Sequence, residues 1–133
     1  MEIAIHNWMR AESIETTLTR IAGLGYDKIE IQGSPELYDP TQVLQLLQSH
    51  HLTCWGAVTL MLEDRNLLAK DAAQRKKSIQ YVKDVIQMVH RLEGNMVSVV
   101  PATVGKLVAE GKPEDEWLLA VDALQEIYDY SEN

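Results

Sequence analysis

Cysteine is almost missing from this sequence: Cys54 stands alone among 133 residues. No internal disulfide can form, and a reducing compartment is the expectation. Long apolar runs are missing as well, the longest (residues 56–62, for example) falling far short of a bilayer's width. The opening Met-Glu-Ile-Ala-Ile-His lacks the basic and apolar regions of a signal peptide, so a cytoplasmic location without a membrane partner is expected. Basic residues are scarce. Twelve Lys and Arg against 20 Asp and Glu leave a net charge of −8, a field that repels a polyanion. The densest basic spot, Arg75-Lys76-Lys77, reads as a solvated helix face, and nucleic acid is not an expected partner. Catalytic signatures are absent too: no G-x-S-x-G elbow, no phosphate-binding glycine loop, and no pair of histidines at ligand spacing with a partner acid. His50 and His51 are adjacent, point about 100° apart on a helix, and read as polar end residues. No catalytic residue and no metal ligand is assigned to the chain.

What is present is a rhythm. With 46% hydrophobic and 24% charged residues the chain has material for a core, and residues 1–133 read as one domain. Residues 1–8 carry Ile3 and Ile5 in alternation and predict a first strand. Ser13 predicts the cap of a helix whose face holds Ile14, Leu18, Ile21 and Ala22, stopped by Gly25. Residues 27–32 predict a second strand. Asp39, Pro40 and Gln42 form the clearest helix start in the chain, with Val43, Leu44, Leu46 and Leu47 on the buried face. A third strand is predicted over residues 52–60 and the longest helix over 71–93, where Ile79, Val82, Val85, Ile86, Val89 and Leu92 keep helical spacing. A fourth strand is predicted over 96–100 and a last helix from Pro113, with Trp117, Val121, Leu124 and Tyr128 on its inner side. Strands alternating with helices call for a parallel sheet.

Glu30 is the least ordinary residue. Parallel strands are buried on both faces, yet Ile29 and Ile31 on one face leave Glu30 and Gln32 on the other. A carboxylate there needs a partner or a function, and both readings stay open. His6, towards the end of the first strand, stands between pocket lining and a satisfied structural role, since barrel enzymes keep working residues at that end. Trp8 and Trp55 are read at or after the ends of their strands, as stacking platforms for a ligand's apolar face or as core. His6, Trp8, Glu30 and Trp55 are the candidate substrate-binding residues. Glu63 and Arg65 read as a solvated loop, Glu114-Asp115-Glu116 as a helix's first turn, and Cys54 as a small buried apolar residue.

Taken together, three stretches resemble the xylose isomerase-like TIM barrels of the sugar phosphate isomerase/epimerase family. Gly23-Leu-Gly25-Tyr-Asp-Lys-Ile-Glu30-Ile is similar to that family's approach to its second strand. Arg75, Ile79 and Tyr81-Val-Lys83 resemble its long third helix. Val97-Ser-Val-Val-Pro101, Gly105, Gly111 and Trp117 resemble the fourth strand, its loop and the following helix. The resemblance covers the whole chain and implies an eight-stranded barrel binding a divalent metal (Mn, Mg, Co or Zn) at its C-terminal mouth. Two glutamates, an aspartate and a histidine from later strands would hold the ion, and two carboxylates would move a proton between adjacent sugar carbons. None of those four ligand positions has a counterpart in this sequence.

The expected fold is therefore a parallel (β/α)4 half of a TIM barrel, with a flavodoxin-like doubly wound sandwich as the alternative. Unpaired edges on the first and fourth strands predict a fragment of a longer enzyme, a homo-oligomer, or a complementing chain. Three functions compete: a metal-dependent sugar or sugar-phosphate isomerase or epimerase, a non-catalytic subunit or assembly module, and an endonuclease or lyase on the same scaffold. The first implies a small-molecule sugar as ligand of the completed barrel, and the charge of −8 counts against the endonuclease.

Overall fold

A computed structural model of the chain describes residues 3–7, 10–105, 108, 109 and 111–132. Eight elements alternate: β1 (Ile5–His6), α1 (Ile14–Gly23), β2 (Lys28–Gly33), α2 (Pro40–Ser49), β3 (Thr53–Thr59), α3 (Ala72–Arg91), β4 (Val97–Ser98) and α4 (Pro113–Ser131). The strands form one parallel sheet in the order β1-β2-β3-β4. A doubly wound sandwich reverses its strand order partway, and this sheet does not, so that alternative is overturned. No helix among the described residues is long and apolar enough to cross a membrane.

Two compact units divide the chain. The first takes in the chain up to Thr59 together with Val85–Ser98, and so holds all four strands. Its core consists of Leu18 and Ile21 of α1, Ile29 and Ile31 of β2, Val43 and Leu47 of α2, and Val85, Met88 and Val89 of α3, all buried. Each such side chain contributes about 1.5–3 kcal/mol through removal from water. Helix limits follow from local chemistry. Ser13 Oγ accepts the Thr16 N–H at 3.2 Å and caps α1. At its other end Gly25 takes φ 83°, donating to Ala22 O at 2.9 Å while Tyr26 N–H reaches Ile21 O at 3.3 Å. That is the left-handed stop that glycine adopts without penalty. Asp39 Oδ1 accepts from Thr41 N–H at 2.8 Å and Gln42 N–H at 3.4 Å, with Pro40 opening α2.

The second unit holds Leu60–Asp84 and the chain from Val99 onward. Asp71 caps α3 by accepting from Ala73 N–H at 2.8 Å and Gln74 N–H at 3.3 Å. Tyr81 OH accepts the Leu60 N–H at 2.7 Å, and the Arg65 guanidinium lies 3.8 Å over the Tyr81 ring while donating to Leu60 O at 3.2 Å. Thr103 OH donates to Arg65 O at 2.8 Å, tying the two loops of this unit together. Arg65, expected in a solvated loop, is thus a structural brace.

Three expectations need correction. Among the described residues the first strand pairs only at Ile5–His6, with Met1, Glu2 and Trp8 of its predicted range lying outside them, and the fourth is Val97–Ser98 rather than residues 96–100. The inner side of α4 is Ala123 and Ile127, while Trp117, Val121, Leu124 and Tyr128 are exposed. The pattern of α4 supports two apolar faces, and spacing alone does not say which one is covered. Trp55 lies in the third position of β3 rather than at or after its end.

Trp55 sits where the register slips: Ile29 pairs with Cys54 but Glu30 with Gly56, leaving Trp55 as the extra residue of a β-bulge. Gly56 follows it for a steric reason, since a Cβ there would stand 2.3 Å from Met96 O. Gly56→Ala is expected to lower stability by about 1–3 kcal/mol through this overpacking, read as a shifted denaturation midpoint; an unchanged midpoint would mean that Met96 yields freely.

Candidate functional site

The site grows out of β2. Its burial alternates strictly: Ile29, Ile31 and Gly33 are buried, while Lys28, Glu30 and Gln32 are half-buried on the opposite face. The parallel register sets His6 of β1 directly beside Glu30. His6 Nδ1 lies 3.2 Å from Glu30 Oε2, and both side chains keep 20% of their surface. The approach is within ion-pair distance but lacks hydrogen-bond alignment, so Nδ1 is a buried nitrogen with no hydrogen-bond partner among the described residues. Leaving such an atom unmatched costs about 1–3 kcal/mol. An imidazole beside a carboxylate offers two polar groups, at adjacent points, to a polyhydroxylated molecule.

One layer nearer the C-terminal ends of the strands is a network that sequence reasoning missed. Asn7, directly after β1 and buried, accepts the Gln32 N–H through Oδ1 at 2.6 Å and donates through Nδ2 to Tyr38 OH at 3.1 Å. Gln32 Nε2 donates to Ser34 Oγ at 3.2 Å. Burial pushes the Tyr38 phenol above its usual range, and the Asn7 bond opposes the shift in part. A cavity of about 570 Å³ opens here, with Arg10, Glu12, Ser13, Gln32 and Tyr38 on its walls. Glu12 receives the Arg20 guanidinium, with Nε at 3.0 Å, and the Thr17 hydroxyl at 3.1 Å; the Arg20 bond is the main cause holding its carboxyl below the usual range. The local signal for this network is confined to Asn7, Gln32 and Ser34, whose partners across the fold lie 25 and 31 residues apart in sequence.

The four sequence candidates separate. His6 and Glu30 come together. Trp55 is 37% exposed and lines another hollow, of about 360 Å³, with Ile3, Ala4 and Lys28 near the N-terminal ends of the strands. Trp8 lies outside the described residues. Among the described residues no three His, Cys, Asp or Glu side chains gather closely enough to hold a metal ion. The donors present therefore do not fit a divalent cation, and no step is routed through one.

Cys54 is buried, its thiol facing Gly56 O at 3.5 Å, and burial pushes its pKa up to about 11. At pH 8 about one thiol in a thousand is then ionised, and the thiolate is the reactive form. Folded protein should react with a disulfide reagent at least tenfold more slowly at pH 8 than protein in denaturant. Equal rates, followed by absorbance, would show that the sheet opens at Cys54.

A parallel sheet in sequential order, polar on one face and with a pocket at the C-terminal ends of its strands, defines half of a (β/α)8 barrel. The sequence agrees: residues 18–133 match the model of the xylose isomerase-like TIM barrel family, and the chain belongs to that family. Among solved structures it is similar to D-psicose 3-epimerase from Clostridium cellulolyticum H10, with a TM-score of 0.84 and 17% identity over 99% of this chain and 49% of that one. D-allulose 3-epimerase from Methylomonas sp. gives 0.83 and 21% over 98% and 48%. An L-ribulose 3-epimerase gives 0.84 and 20% over 99% and 46%. The chain thus spans about half the length of the structures it matches. A comparison with curated proteins gives no match.

Proposed function

We propose that this chain is the N-terminal half of a metal-dependent sugar or sugar-phosphate isomerase or epimerase, and that it supplies one wall of the substrate pocket. The observation that carries the reading is the His6–Glu30 pair on the polar face of the sheet, 3.2 Å apart in register. Supporting it, the similar structures are ketose 3-epimerases of the same fold, one of them solved with D-tagatose. Imidazole and carboxylate suit this role because sugar hydroxyls both donate and accept, and a charged acceptor binds a hydroxyl about twice as strongly as a neutral one. Trp8 is proposed as a further wall residue, offering an aromatic face to the sugar's C–H bonds; Trp55, in the hollow with Lys28 near the N-terminal ends of the strands, stands apart from that pocket.

A divalent cation bound by the other half would polarise the substrate carbonyl. This chain's part is to hold the sugar in orientation and keep water from the reacting carbons. The complementing half comes from a longer chain, a second copy or a separate partner, and the location is cytoplasmic. A non-catalytic subunit remains the second reading, favoured by the lack of three clustered ligands among the described residues. A superfamily endonuclease or lyase ranks below both, since −8 opposes DNA binding.

The test is epimerase turnover of D-fructose or D-allulose with Mn²⁺, using the completed barrel and its His6→Ala and Glu30→Gln forms. Losing one charge-assisted hydrogen bond, about 1.5–3 kcal/mol, should lower kcat/KM by about 10- to 100-fold. Wild-type rates in both variants would remove these residues from the pocket wall, and no turnover by the completed barrel on any ketose would favour the subunit reading.

A further inference from the structure

Two hydrogen bonds at the cavity beside Tyr38 decide the direction of a third group. The Gln32 backbone N–H can only donate, so the Asn7 atom facing it at 2.6 Å is the amide oxygen, and Nδ2 is the atom facing Tyr38 OH at 3.1 Å. An amide nitrogen cannot accept, so the Tyr38 oxygen accepts there and its own proton is left to point elsewhere. Among the described residues no acceptor takes that proton. Burial raises the Tyr38 pKa above the usual range and so holds the phenol protonated at neutral pH. Tyr38 therefore lines the cavity of about 570 Å³ with a hydroxyl free to donate. The same cavity carries one cation without a countercharge. Arg10 and Glu12 are its charged lining residues, and Glu12 is engaged by Arg20 and Thr17. Arg10 forms no ion pair with any described residue, so two guanidinium groups stand against one carboxylate in a chain whose net charge is −8. An exposed arginine alone is ordinary; this one shares a concave wall with an oriented, half-buried donor.

We propose that this cavity receives the phosphate group of a sugar phosphate, with the Arg10 guanidinium as its countercharge and the Tyr38 hydroxyl as a second donor. The proposal rests on the pocket-wall reading of this chain and narrows its substrate class. A phosphate monoester carries about −1.5 to −2 charges at pH 7 and three strong acceptor oxygens, so it matches walls that offer a positive charge and a donor. Arginine suits it because the planar guanidinium can send two parallel N–H donors to two oxygens. The two donors come from different connections, Arg10 between β1 and α1 and Tyr38 between β2 and α2. A tetrahedral group presents oxygens in both directions, whereas a planar carboxylate has only two. D-tagatose, the sugar in one similar structure, is neutral and leaves the Arg10 charge unmatched.

Isothermal titration of the whole chain reads the preference directly. The probes are D-fructose 6-phosphate, D-fructose, and D-glucuronate, whose charge is a carboxylate. D-Fructose 6-phosphate should bind about tenfold or more tightly than either other sugar. Arg10→Gln should cut that advantage to about threefold or less. Lys76→Gln, which removes the same charge from an exposed position of α3 outside the cavity, should leave it intact. Tyr38→Phe should weaken binding of the phosphorylated sugar by about three- to tenfold, with the far-ultraviolet dichroism unchanged. Equal affinities for D-fructose 6-phosphate and D-fructose, no saturable heat with any probe, or an advantage that survives Arg10→Gln overturns the proposal. Equally tight binding of D-glucuronate overturns the choice of phosphate, and wild-type affinity in Tyr38→Phe overturns the role of its hydroxyl. The pocket-wall reading fails separately, on turnover by the completed barrel. Turnover without phosphate preference sinks this proposal alone, and phosphate preference without turnover sinks only the epimerase reading.

Discussion

Everything in the sheet depends on the two-residue alternation of β2. Ile29 and Ile31 lose all contact with water on one face, which anchors the strand and sets which way Lys28, Glu30 and Gln32 must turn. A slip of one residue would bury a carboxylate and expose two isoleucines, and at about 1.5–3 kcal/mol for each buried side chain the register has no near competitor. Once β2 is fixed, its pairing with β1 sets His6 next to Glu30, and its pairing with β3 runs from Lys28 to Gly33. The polar pair is thus a consequence of how the apolar face packs.

The bulge at Trp55 shows the same constraint acting in the other direction. Adding one residue to β3 between its pairings with Ile29 and Glu30 shifts Gly56 opposite Glu30, the layer that also holds His6. Gly56 leaves that layer without a third side chain, and its missing Cβ is what lets Met96 O approach. A bulge re-aims side chains where a regular strand would not. Here it turns Trp55 towards the start of the sheet, into the hollow with Lys28.

Much of this was legible beforehand, and the failures share a cause. Element order, the caps at Ser13, Asp39 and Gly25, and the face of Glu30 all follow from interactions within a few residues of chain, where spacing carries the information. The bulge does not, because it is a relation between β2 and β3 that neither strand shows alone. The covered side of α4 does not either: Trp117-Val121-Leu124-Tyr128 and Ala123-Ile127 are both apolar sets at helical spacing, and the larger, more hydrophobic one turned out to be exposed. Asn7 escaped notice for a related reason. A single asparagine after a strand reads as a turn residue, and only the fold brings it to Gln32 and Tyr38.

The misassigned face of α4 and the unmatched nitrogen of His6 are two forms of one incompleteness. Natural chains cover large apolar stripes and satisfy buried polar atoms, because each lapse costs on the order of 1 kcal/mol or more from a total stability of only about 5–15 kcal/mol. One lapse lies on α4, the other on the polar face of the sheet. Apolar and polar defects of this kind have separate remedies, since a helix stripe needs another helix while a buried imidazole needs a hydrogen-bonding partner. His6 Nδ1, closed off from solvent, has the Glu30 carboxylate 3.2 Å away as its candidate partner.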